Sequence, residues 1–149
     1  MSEVDKNMSV KIIMSDISLV VPAKATGYSA GYDIRSAIDV VLKVGEIKII
    51  PTGLRMEMPN NLECQVRSRS GLAAKHGVCV FNGPGTIDAD YRDEIGIILA
   101  NFGTEDFKIE KNMRIAQLVF AKIIHTNIVI SDKLSDSKRN GGFGSTGLK

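Results

Sequence analysis

An all-β fold (a sandwich, barrel or jelly roll) is predicted by three observations. Segments such as Leu54-Arg55-Met56-Glu57-Met58 and Glu63-Cys64-Gln65-Val66-Arg67 alternate apolar and polar residues. A period of two places alternate side chains on opposite faces of a strand with one side buried. Other β-branched runs are too short for stable helices. Turn clusters punctuate them: Lys43-Val44-Gly45-Glu46, Pro51-Thr52-Gly53, Pro59-Asn60-Asn61, Asn82-Gly83-Pro84-Gly85 and Asn101-Phe102-Gly103-Thr104. Short strands with regular turns suit an all-β architecture.

Taken in order, residues 1–8 are polar and expected to be disordered. Besides the two alternating segments, strands are expected over 9–14, 39–42, 47–50, 77–81, 95–101, 115–123 and 127–130. One helical turn is expected at Gly71-Leu72-Ala73-Ala74-Lys75-His76, with Ser70 as N-cap and Gly77 as the stop. One domain is expected over 9–130. Residues 131–149 form a polar, glycine-rich arm with almost nothing to bury, expected to be flexible.

Composition excludes several classes. A net charge of +2 is too small for a broad nucleic-acid or membrane footprint. No apolar run approaches the ~20 residues needed to span a bilayer. The polar N-terminus lacks a signal-peptide core, so a cytoplasmic location is expected. Cys64 and Cys79 lack Cys-x-x-Cys spacing and read as free thiols. His76 and His125 lack zinc-ligand spacing with them.

Four interior segments carry polar chemistry in apolar surroundings. In Gly85-Thr86-Ile87-Asp88-Ala89-Asp90-Tyr91-Arg92-Asp93-Glu94, a β-hairpin would line a slot with main-chain donors and acceptors able to read a base edge. Asp88, after Ile87, could be a partly buried carboxylate that takes a proton from water. Asp93 and Glu94 read better as a solvated acidic turn. Arg67-Ser68-Arg69-Ser70-Gly71 combines guanidinium forks, hydroxyls and a helix start, which suits an anion, although a plain cap is equally compatible. Ser29-Ala30-Gly31-Tyr32-Asp33 crowds small residues around one acid and by itself reads as a structural turn. Arg114-Ile115-Ala116-Gln117-Leu118 sets one amide, Gln117, among apolar neighbours, where it needs partners.

In this order the segments resemble the five motifs of the trimeric dUTPases. Ala30-Gly31-Tyr32-Asp33-Ile34 is similar to the first, Arg69-Ser70-Gly71-Leu72-Ala73 to the second and the 85–92 segment to the third. The fourth is Arg114-Ile115-Ala116-Gln117-Leu118, and the fifth is Arg139 with Gly141-Gly142-Phe143-Gly144-Ser145-Thr146-Gly147. Two departures are Ser68, where proline is common, and Asp93, where glycine is common.

The resemblance implies a jelly-roll barrel with one short helix, a homotrimer with active sites shared between subunits, and magnesium-dependent hydrolysis of dUTP to dUMP and pyrophosphate. That activity keeps uracil out of DNA and supplies dUMP for dTMP synthesis. Asp88 would deprotonate water attacking the α-phosphorus, and Asp33 would hold Mg2+ through water. Arg69, Ser70, Gly71 and Gln117 would bind phosphates. Asn82, Thr86, Ile87, Asp88 and Gly96 would face the nucleoside, with Tyr91 under the deoxyribose. Two other readings are a dCTP deaminase-like enzyme of the same fold and a non-catalytic regulatory binding protein.

The tail Gly142-Phe143-Gly144-Ser145-Thr146-Gly147 matches G-x-G-x-x-G, but a dinucleotide fingerprint needs a strand before and a helix after. A polar run precedes it, and only Leu148 and Lys149 follow. The resemblance makes it a lid instead: Phe143 over the uracil, with Arg139, Gly144, Ser145 and Thr146 closing on the nucleotide.

Overall fold

The structure is a computed structural model describing residues 8–138. It is a β jelly roll with one short helix. The strands are β1 (Lys11–Met14), β2 (Tyr32–Arg35), β3 (Val40–Leu42), β4 (Ile47–Pro51), β5 (Leu54–Glu57), β6 (Leu62–Arg67), β7 (Val78–Val80), β8 (Gly85–Ile87), β9 (Gly96–Asn101), β10 (Phe107–Ile109) and β11 (Arg114–Lys122); α1 (Ser70–His76) lies between β6 and β7. All pairings are antiparallel. The main sheets run β2-β11-β6-β8 and β4-β9-β7, and β1-β5 and β10-β3 form two-stranded ribbons.

The alternation in β6 sends Leu62, Cys64 and Val66 inward; β5 does the same with Leu54 and Met56. These join Ile34, Leu42, Ile50, Ile97, Leu99, Ile109, Ile115 and Leu118 in one core cluster. Each such side chain contributes roughly 1.5–3 kcal/mol of burial. Three buried polar side chains, Ser36, Thr52 and Asn101, all hydrogen-bond to backbone: Thr52 Oγ1 donates to Ile95 O at 2.6 Å, and Asn101 Nδ2 donates to Leu42 O at 3.0 Å.

Four local expectations change. First, 127–130 forms no strand: Ile128 and Ile130 are each 97% exposed. A strand needs a ladder partner, which β-branched composition cannot supply. Second, β2 and β10 are strands that the residue pattern did not announce. β2 was masked by small residues, and three-residue β10 is too short to show a period. Third, the N-cap of α1 is Arg69, in the extended region, with no side-chain cap; Ser70 is already helical. Gly77 ends α1 as expected, at φ 66°, with its N–H on Ala73 O, where a Cβ would strike the Gly103 backbone. Fourth, 85–94 is not a hairpin. β8 pairs with β6 and β9 lies between β4 and β7, so 88–95 crosses from one sheet to the other.

Candidate active site

Register brings the first charged cluster together. Gln117 on β11 lies opposite Asp33 on β2 and opposite Arg67 on β6. Beyond β6, the chain turns into α1 and carries Arg69 back over β2. Arg69 Nε lies 3.3 Å from Asp33 Oδ1, and Arg114 Nη1 donates to Asp33 Oδ2 at 3.1 Å. Arg69 Nη1 also donates to Arg114 O at 3.0 Å. One half-buried carboxylate thus orients two guanidinium groups. Gln117 Nε2 donates to Ser68 O at 3.0 Å. A Cβ at Gly31 would collide with Gln117 Oε1, so any side chain there displaces the amide. Ser70 and Gly71 are exposed at the start of α1, and a Cβ at Gly71 would meet nothing within 4 Å, so this edge of the cluster is open. Arrayed donors and cations of this kind suit an oligophosphate.

The second cluster is a cleft of about 250 Å³ lined by Thr86, Ile87, Asp88, Tyr91, Ile95 and Gly96. Its lining mixes the apolar side chains of Ile87 and Ile95 and the Tyr91 ring with the polar groups of Thr86 and Asp88. Asp88 stands on its rim and is exposed, not partly buried as its neighbour Ile87 suggested. The Tyr91 N–H donates to Asp88 O at 3.1 Å, and the Tyr91 hydroxyl donates to Glu94 O at 3.0 Å. Gly96 lies where a Cβ would strike Ile49 Cγ2 at 2.6 Å. Asn82 is not part of this lining; its amide packs behind Gly85 on the 81–84 turn.

Sequence reasoning placed most of these residues and missed four. Arg114 lay in a quoted motif, but only its neighbour Gln117 was singled out. Ser68 accepts the Val80 N–H on its hydroxyl at 2.9 Å and so ties the end of β6 to β7. Ile95 forms the buried floor of the cleft. Glu94, read as solvated, is indeed exposed, but its Oε1 also accepts the Gly53 N–H at 2.8 Å. Asp93 does behave as a solvated acid, with only an exposed pair to Arg55 at 3.6 Å. Arg139, Phe143, Gly144, Ser145 and Thr146 lie outside the described residues.

No residue of the charged cluster lines the 250 Å³ cleft. The chain therefore presents two features lined by different residues: one of charge, one of shape. A larger groove of about 670 Å³, lined by Val10, Ile12, Tyr32 and Phe120 among others, contains none of the expected site residues.

The donor set also bears on magnesium. Among the described residues, no three His, Cys, Asp or Glu side chains gather as a metal site. Mg2+ commonly keeps its waters and is held by one or two carboxylates plus substrate phosphates. One carboxylate, Asp33, beside a cluster of cations and donors matches that sparse kind of donor set.

Comparison with known proteins gives the family. The dUTPase family model matches residues 17–147. The deoxyuridine 5'-triphosphate nucleotidohydrolase of Rickettsia felis is 50% identical over 138 residues, covering 91% of this chain and 93% of that protein. The Clostridium acetobutylicum protein of the same name is 48% identical over 143 residues, covering 95% and 99%. Among solved structures, the dUTPase of Staphylococcus bacteriophage 80alpha with dUpNHpp superposes at a TM-score of 0.87, with 27% identity, covering 94% of this chain and 99% of that one. From its ordered motifs, its jelly roll and these matches over nearly its whole length, the chain belongs to the dUTPase family of dUTP diphosphatases.

Proposed function

We propose that the protein hydrolyses dUTP to dUMP and pyrophosphate, with water attacking the α-phosphorus and the bond to the β-phosphate breaking. The observation that carries this reading is the pair of half-sites: a cluster of guanidinium groups and donors suited to phosphates, and a cleft lined in part by the exposed Asp88 carboxylate. Asp88 accepts the proton of the attacking water. Arg69, Ser70, Gly71 and Gln117 hold the phosphates. Phosphoryl transfer needs positioning and charge neutralisation more than covalent help, so a single base suffices. Magnesium bound with the triphosphate would supply further neutralisation, and Asp33 would hold it through water. Main-chain groups of the 86–96 cleft read the uracil, Asn82 contributes from the adjoining turn, and Tyr91 packs under the deoxyribose. Selectivity arises because cytosine would leave those main-chain groups unpaired.

The two half-sites are lined by different residues, which supports a homotrimer whose active sites combine cleft and cluster from different subunits. The exposed apolar run of Ile124, Ile128, Val129 and Ile130 beyond β11 supports an arm that finds its partner outside its own subunit. The glycine-rich residues 139–147 then serve as a lid, with Phe143 over the base and Arg139, Gly144, Ser145 and Thr146 on the phosphates. In the cytoplasm this activity keeps uracil out of DNA and supplies dUMP for dTMP synthesis.

Pyrophosphate release from dUTP, dCTP, dTTP and UTP, each with and without magnesium, tests the reading. Magnesium-dependent release from dUTP alone is expected. Ammonia release from dCTP would replace it with the deaminase reading, and inert dUTP would overturn hydrolysis altogether.

A further inference from the structure

We propose that Glu94 is a positioning residue that sets discrimination against a ribose 2′-hydroxyl by fixing Tyr91; this rests on the reading of the 86–96 cleft as the nucleoside slot. Tyr91 lines that cleft, yet it is 41% exposed, so packing alone does not fix its ring. The far end of the ring is held by its hydroxyl, which donates to the Glu94 carbonyl oxygen at 3.0 Å. The position of that carbonyl therefore decides where the ring wall stands.

That carbonyl shares a peptide plane with the Ile95 N–H, and Glu94 is held as well by its own side chain. Its carboxylate Oε1 accepts the Gly53 N–H at 2.8 Å, across from the β4–β5 turn. That turn is a fixed point. Gly53 has φ +66°, and a Cβ there would strike Leu19 Cδ1 and Ser15 Oγ, so the turn is packed as well as bent. Thr52, 2% exposed, accepts the Leu54 N–H on its hydroxyl at 3.2 Å and donates to Ile95 O at 2.6 Å. The Ile95 N–H returns to Leu54 O at 2.8 Å. Ile95 is thus bolted to the turn twice, and the Glu94 carboxylate adds a third bond one residue earlier. Asp93, just before, has only its exposed pair with Arg55 at 3.6 Å. Glu94 is where the crossover loop becomes fixed, and the Tyr91 hydroxyl grips that residue.

Glu94 does not line the cleft, so its influence runs through Tyr91. Excluding one hydroxyl requires a wall held to a fraction of an ångström. A carboxylate is a stronger acceptor for the Gly53 N–H than a neutral group, but a glutamine retains an acceptor oxygen in the same place.

The test measures kcat/KM for dUTP and for UTP, with thermal midpoints, in the full-length protein. Glu94→Ala is expected to lower the dUTP-over-UTP preference about tenfold, more through KM than kcat. Glu94→Gln is expected to keep most of the preference. Tyr91→Phe should lower it similarly, and Glu94→Ala combined with Tyr91→Phe should lower it little further, because both cut one tether. An unchanged preference in Glu94→Ala, an equal loss on both substrates, or full additivity in the double variant would each overturn the proposal. Absence of dUTP hydrolysis in the unaltered protein would bring down the slot reading first, and this proposal with it.

Discussion

The charged cluster and the cleft are built by opposite means. Asp33, Arg114 and Gln117 stand on paired strands, and Arg69 folds over them from the first turn after β6. Sheet register sets their spacing, and ion pairs set their orientation before any ligand arrives. The cleft belongs to a crossover between two sheets. Its shape depends on the 88–95 segment, which is held at one end by β8 and at the other by the Thr52–Gly53 turn. On the proposed function, phosphate binding is a property of sheets, whereas base and sugar recognition is a property of a tethered loop. Substitutions in the first region should alter affinity for phosphates in general. Substitutions in the second should alter choice among nucleosides.

The largest expected effect breaks the chemistry and spares both halves. Asp88→Asn should reduce kcat by about 10²–10⁴-fold with dUTP affinity nearly unchanged. Single-turnover kinetics beside equilibrium binding will show it, and normal turnover in a folded variant would remove Asp88 as the base. Next comes removal of 139–149, expected to leave a folded oligomer with poor catalysis. Sedimentation together with steady-state rates decides this, and unchanged kinetics would rule out the lid.

A smaller effect separates the two regions directly. Gly31→Ala pushes on Gln117 and should raise KM for dUTP about tenfold while leaving the preference for dUTP over UTP intact. A changed preference would mean that the halves are mechanically coupled. The smallest effects concern neither half. Burial, first, and then the neighbouring Glu63 charge push the Cys64 thiol up to about 12, so a thiol reagent at pH 8 should spare it until the protein unfolds. Early labelling, read by mass spectrometry, would show an opening of the core beneath β6. Asp16 is held down to about 2, first by the Ser18 N–H and then by Lys111. Its folded value lies below the ordinary 3.8, so its contribution is present above that pH and fades as pH falls towards about 2. Asp16→Asn should flatten that part of the acid unfolding curve.

Much of the site was legible because its residue types are unusual where they stand. A lone amide in an apolar strand, small residues crowding an acid, and serines with arginines before a helical turn each demand a partner. What those partners are was not legible. That Asp33 faces two guanidinium groups depends on β2 lying beside β11, some 80 residues away in sequence. The role of Glu94 was hidden for the same reason. Beside Asp93 it looks like any solvated acid, and only the approach of Gly53 distinguishes the two.

By itself the sequence determined the all-β class, most strand positions, the stop at Gly77 and the order of the motifs. Alternation, turn chemistry and left-handed glycine are local properties, set within a few residues of chain. Tertiary structure decided which strands pair, and with them the fate of two segments that composition alone misread. The 127–130 run has the residues of a strand but no neighbour within the described chain, and 85–94 has the look of a hairpin but joins two sheets. Pairing joins residues far apart in sequence, so it is fixed only when the whole core closes.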